Sequence, residues 1–170
     1  WYPGETLSAG IGQGYMLATP LQLAVATSIV ATRGVHREPR LVQWFGEERL
    51  ATPLHDPVLA DPGHWDAIID GMREVVHGRR GTARAIGRNI DYQMAGKTGT
   101  AQVIGIAQDA VYNEDEIDER HRNHGLFVAF APLEAPTIAV AVIVENGGGS
   151  SAAYPIARTV IDNWLSGRAG

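Results

Sequence analysis

Cysteine is absent from the 170 residues, which excludes disulfides and thiolate–metal sites and leaves the redox compartment unreadable. Lysine is nearly absent: Lys97 stands alone against thirteen arginines. No apolar run approaches the roughly eighteen residues that cross a bilayer, and no signal-peptide pattern is present. A net charge of -5 without a basic patch argues against nucleic acid as a partner. What remains is a chain that is 45% hydrophobic, enough apolar material for one core.

Several stretches declare their local structure. Trp1 to Met16, with Gly4, Gly10, Gly12 and Gly14, reads as an extended or looped approach. Thr19-Pro20-Leu21-Gln22 opens a helix, with Thr19 as cap, Pro20 at the first position and Gln22 completing a capping box. That helix runs to about Arg33, ends at Gly34, and is apolar around most of its circumference, which predicts a core helix. Arg40 to Phe45 suits a short strand, and Gly46 to Ala60 a surface connection. Asp61 and Pro62 start a second helix, whose Trp65, Ile68, Ile69, Met72, Val75 and Val76 form an amphipathic stripe closed by Gly78.

Further along, Thr82 in Gly81-Thr82-Ala83 reads as a helix cap more readily than as a substrate contact, and Arg79 and Arg80 as solvated surface. Gln108 to His124 is the most polar segment, with Asn113 placed to cap a short helix. His121 and His124 lie three apart without a nearby third ligand, so solvated charge outweighs metal binding there. Leu126 to Ala131 and Thr137 to Val144, joined by a short proline-bounded link, suit an antiparallel hairpin. The second run carries no charge, so helices are expected on both its faces. Tyr154 to Leu165 is a final helix with Ile156, Val160, Ile161, Trp164 and Leu165 assigned to one side. This order predicts an α+β fold, an antiparallel sheet packed against helices.

The solitary lysine sits in Met94 to Val103, M-A-G-K-T-G-T-A-Q-V. Extended-favouring residues surround it, and Gly96 and Gly99 flank the Lys97-Thr98 pair as glycines do where a ligand or another backbone approaches. A phosphate-binding P-loop would need glycine five positions before Gly96, where Asp91 stands, and a helix immediately after Thr98, where Gly99 is a poor start. The competing reading is the K-T-G element of penicillin-interacting serine enzymes. In a strand, Lys97 and Gly99 share one face while Thr98 and Thr100 share the other. Both sets reach one ligand only if the strand is at a sheet edge with open amides, beside which a peptide-like substrate can lie as an added strand.

The longer string A-G-K-T-G-T-A-Q-V resembles the third-strand motif of class B penicillin-binding proteins, as does G-I-G-Q-G-Y-M-L-A-T-P-L-Q-L-A at Gly10 to Ala24. Tyr112-Asn113, Phe130 to Pro132 and Val144 to Gly148 are similar to the elongation-type members. The resemblance runs in one order from Trp1 to about Leu165 and covers only the last part of that family's transpeptidase domain. No serine has a lysine three residues on, and no S-x-N occurs, so the family's nucleophile and second serine are not in this chain.

That resemblance implies three strands of the family's sheet in an incomplete domain over residues 1–170. It implies part of a D,D-transpeptidase that cross-links peptidoglycan stem peptides by serine acyl transfer and binds β-lactams, inactive on its own. Lys97 and Thr100 are the implied catalytic residues, with the Thr100 amide as an oxyanion-hole donor; Thr98, Gly99 and Thr100 are the implied substrate-binding residues. No cofactor or metal is implied. The implied partners are the D-alanyl-D-alanine stem peptide, β-lactams, the absent N-terminal part of the domain and other cell-elongation proteins. The implied place is the periplasmic face of the bacterial inner membrane, through an anchor outside this chain. Two alternatives stay open: a non-catalytic module for cell-wall assembly, and a β-lactam sensor or hydrolase.

Overall fold

The computed structural model describes residues 2–12, 17–103 and 117–167. The first element is a helix, α1 (Pro3–Gly10), where the glycine content predicts a loop. Pro3 in the first turn and the run Glu5 to Ala9 suffice for two turns, yet none of its residues is buried. Helix α2 (Pro20–Ala31) begins as its sequence dictates. The Gln22 amide donates to Thr19 Oγ1 (3.2 Å), and the Thr19 amide donates to Gln22 Oε1 (2.8 Å), a reciprocal cap of about 1 kcal/mol. Arg33 and Gly34 turn the chain out of the helix with φ of 52° and 104°.

The core-helix expectation for α2 holds on one side: the helix packs on β4 and β5, and its other side is open. Only Thr27 and Ala31 are buried, and Leu21, Val25 and Ile29 line an open apolar groove of about 380 Å³ with His36 and Pro39. An all-round apolar helix is covered here on one side alone. The short strand expected over Arg40 to Phe45 shrinks to β1 (Trp44–Phe45), paired with β2 (Glu48–Arg49) in a small exposed hairpin that leads into the surface connection. Helix α3 (Pro62–His77) starts on Asp61, whose Oδ1 accepts the Gly63 amide at 2.8 Å. Trp65, Ile69 and Val76 of its stripe are buried, while Ile68 is half exposed.

The main sheet has the order β3-β4-β5, with β3 (Ala95–Ala101), β4 (His124–Ala131) and β5 (Ile138–Val144) antiparallel throughout. The expected hairpin is β4 and β5. Helix α4 (Tyr154–Leu165) follows at the expected residues. Alternation divides the sheet's side chains between two layers. Phe127, Ala129 and Val140 pack with Ala157 and Ile161 of α4, while Phe130 and Ala139 pack with Ala31 of α2 and Ile69 of α3. Both faces of β5 therefore meet helices, as its uncharged sequence demands. Phe127 and Phe130 are fully buried, each contributing about 2–3 kcal/mol of apolar transfer.

The stripe assigned to α4 needs correction. Ile156, Val160 and Trp164 are about half exposed, and the face against the sheet is Ala157 and Ile161. Alanine at 153 and 157, fully buried, lets the helix backbone come close to the strands, so the small residues mark the inner face. A polar brace holds α4 to the turn before β3. Arg158 Nε and the Tyr92 hydroxyl donate to the two oxygens of Asp162 at 2.6 Å each, and Arg158 Nη1 donates to the Ile86 carbonyl at 2.7 Å. Burial and this bond push the Tyr92 hydroxyl above its ordinary pKa.

Candidate active-site strand

Lys97, Thr98, Gly99 and Thr100 all lie on β3, and β3 is the outer strand of the three. Its partners are Val128 opposite Lys97, Phe127 opposite Thr98, Leu126 opposite Gly99 and Gly125 opposite Thr100. The expected division of faces follows from this register. A P-loop is overturned, because Ala95–Ala101 is a continuous strand with the lysine inside it.

The direction of the backbone amides is fixed at the strand's entrance. Met94, just before the ladder begins, donates its N–H to His77 Nε2 at 3.1 Å, on the side away from β4. Backbone polar groups alternate along an antiparallel strand, so the amides of Gly96, Thr98 and Thr100 face the same outer margin. Lys97 Nζ donates to the Thr98 carbonyl at 2.5 Å, which agrees with that carbonyl lying on the margin. Lys97 and Thr100 are exposed and Thr98 and Gly99 half-buried. Together they border a groove of about 320 Å³, flanked by Leu126 and Val128 of β4 and Leu23 of α2. The four residues thus share the outer strand, and the groove lies over β3 and β4 on the face that carries Lys97.

The two glycines of the motif have different reasons. A Cβ on Gly96 would stand 2.5 Å from Phe127 Cζ, so the buried aromatic layer demands glycine there. At Gly99 the nearest atom would be Leu126 Cβ at 3.2 Å, a milder restriction.

Two residues at the site were not assigned to it by sequence reasoning. Thr82 does not cap a helix: the short 3-10 turn Arg84–Gly87 has Ala83 at its cap, without a side-chain bond. Instead Thr82 Oγ1 lies 2.9 Å from Thr98 Oγ1. A helix start was visible locally, whereas this contact spans sixteen residues. His77 is the other. Burial, and next the Arg73 guanidinium, hold its pKa below the ordinary value, and only the neutral imidazole has a ring nitrogen that accepts the Met94 amide. No local pattern marks such a bond.

At the far end of β3 the V-E-N-G-G piece closes over the strand pair. Asn146, with φ of 55°, donates its N–H to His124 Nδ1 at 2.9 Å and its Nδ2 to the carbonyls of Arg120 (2.8 Å) and Arg122 (3.0 Å). Gly125, opposite Thr100, is so close to this loop that a Cβ would lie 2.0 Å from the Gly149 carbonyl oxygen. His124 is thereby engaged with backbone, and among the described residues no cluster of three metal-ligating side chains occurs. Asn113 and its expected helix lie outside the described residues; from 117 onward the polar segment forms a 3-10 turn, Glu119–His121, capped by Asp118. The Arg120 guanidinium and amide bonded to Asp118 hold its carboxyl below the usual range.

Comparison with known proteins agrees with this geometry. The model of the penicillin binding protein transpeptidase domain matches residues 1–162. Peptidoglycan D,D-transpeptidase MrdA of Escherichia coli K12 is 39% identical over 172 residues, spanning 98% of this chain and 27% of that protein. The crystal structure of Pseudomonas aeruginosa PBP2 in complex with WCK 5153 superposes with a TM-score of 0.80 at 48% identity, covering 97% of this chain and 34% of that one. The complex of PBP2 and MreC from Helicobacter pylori gives 0.70 at 34% identity, covering 88% and 25%. The chain spans about a quarter of the length of the curated relatives it matches. With the family model matched over most of its length and K-T-G-T set on an open strand margin, the chain belongs to the penicillin-binding protein transpeptidase family.

Proposed function

We propose that residues 1–170 are the C-terminal portion of the transpeptidase domain of an elongation-type peptidoglycan D,D-transpeptidase, acting with an N-terminal portion that holds the serine nucleophile. The observation that carries the reading is the family match over 1–162 joined to the position of Lys97-Thr98-Gly99-Thr100 on the outer margin of β3. In the reaction, the serine oxygen bonds to the penultimate D-alanine carbonyl carbon, the peptide bond breaks, and D-alanine leaves with the proton on its amine. An amine of a neighbouring stem peptide then attacks the ester, forming the new amide and returning the serine.

The residues of β3 serve both steps. The Thr100 amide on the outer margin donates to the oxyanion, a contribution of about 3 kcal/mol to the barrier. Thr98 and Thr100 hydroxyls hold the substrate carboxylate, Gly99 lets the peptide approach, and Lys97 supplies positive charge and helps poise the second serine for proton transfer. β-Lactams are accepted as mimics of the same peptide. A MreC-like cell-elongation protein is the proposed partner, supported by the Helicobacter pylori complex, and the periplasmic face of the inner membrane the proposed place. No helix among the described residues is long and apolar enough to cross a membrane.

Fluorescent penicillin tests the reading. The full-length protein is expected to label covalently, and the 170-residue chain alone is not. Labelling of the isolated chain would move the nucleophile into it and overturn the division; an unlabelled full-length protein would overturn the activity.

A further inference from the structure

The turn Gly81-Thr82-Ala83 leaves the C-terminal end of α3 and returns against β3 with little freedom. Ala83 is fully buried and its amide donates to the Val75 carbonyl at 3.0 Å. A Cβ on Gly81 would stand 2.3 Å from the Val75 carbonyl oxygen and 2.5 Å from that of Glu74, so the turn is pressed onto the helix end. Between these fixed neighbours Thr82 is exposed, with its Oγ1 2.9 Å from Thr98 Oγ1. Thr98 also lines the groove beside Lys97. Its hydroxyl, on the face of β3 away from the Lys97 side chain, is half-buried beside Thr82 at the outer strand of the sheet.

A hydroxyl carries one proton and two lone pairs. If Thr98 donates to Thr82, only lone pairs are left for a ligand at the strand margin, and an anionic ligand group is repelled. If Thr82 donates to Thr98, the Thr98 proton is free to make a charge-assisted bond to a carboxylate, and the two bonds polarise one another. We propose that Thr82 is a positioning residue: its hydroxyl donates to Thr98 Oγ1 and commits the Thr98 proton to the carboxylate of the ligand. The inference rests on the transpeptidase reading for that ligand and adds a residue that acts through Thr98 without touching it.

The test compares Thr82→Val, which keeps the shape, with Thr82→Ser, which keeps the hydroxyl, in the full-length protein. The readout is the ratio of second-order acylation rates for penicillin G and its methyl ester. Thr82→Val is expected to lower the acid-over-ester ratio about fivefold, the size of one modest net hydrogen bond, while Thr82→Ser stays at the wild-type ratio. In a Thr98→Val background, Thr82→Val is expected to change the ratio no further, because the pair acts as one unit. An unchanged ratio in Thr82→Val, an equal loss in Thr82→Ser, or additive losses in the double variant would each overturn the proposal while leaving the transpeptidase reading intact. A wild-type protein acylated by neither compound would overturn that reading, and this proposal with it.

Discussion

His77 Nε2 accepts the amide of Met94 at 3.1 Å, one residue before β3 begins. This bond anchors the outer margin of a strand that, among the described residues, has sheet on one side only, and Met94 itself is fully buried. Removing the acceptor strands a buried amide, which costs about 1–3 kcal/mol. His77→Ala is expected to lose stability by that amount in denaturant unfolding, and His77→Gln, which offers a carbonyl oxygen, to lose less.

The same histidine gives a pH dependence. Its folded pKa lies below the ordinary 6.5, so the unfolded chain takes up the proton at a higher pH than the folded one. As pH falls from about 6.5 toward the folded value, the unfolded state binds more protons and stability declines; above that window His77 is neutral in both states and adds no slope. Thermal midpoints measured between about pH 7.5 and pH 5.5 are expected to fall more steeply for wild type than for His77→Gln. Parallel curves would remove His77 as the cause.

Gly125 faces Thr100 across the ladder and lies beneath the Gly149 carbonyl. Gly125→Ala must displace backbone, and about 2 kcal/mol or more of destabilisation is expected. Gly99→Ala, with only Leu126 Cβ at 3.2 Å, is expected to be milder in the same unfolding assay.

Lys97 is exposed on the strand that borders the groove. In the full-length protein Lys97→Ala is expected to slow acylation by fluorescent penicillin at least about a hundredfold, the scale of lost proton-transfer assistance, with an unchanged thermal midpoint. A wild-type rate would return Lys97 to the role of an ordinary exposed strand lysine.

Much of this was legible where the cause is local. Thr19 with Gln22, Asp61 with Pro62, and the charge-free run of β5 each carry their structural reason within a few residues. The edge position of Lys97 was readable because its motif has little use in the middle of a sheet. What escaped depends on distant partners or on small side chains. Ala153 and Ala157 set the inner face of α4 by closeness, while the larger Ile156, Val160 and Trp164, weighted by size, point outward. Thr82 looked like a cap because its partner Thr98 lies on another element, and Gly125 gave no sign of the Gly149 carbonyl above it.

Amide hydrogen exchange at Gly96, Thr98 and Thr100, before and after acylation of the full-length protein by penicillin, reads the open margin of β3 directly. The Thr100 amide is expected to become protected on acylation while the already engaged Met94 amide changes little. Acylation that leaves Thr100 exchanging as before would place the ligand elsewhere and contradict the assignment of this strand.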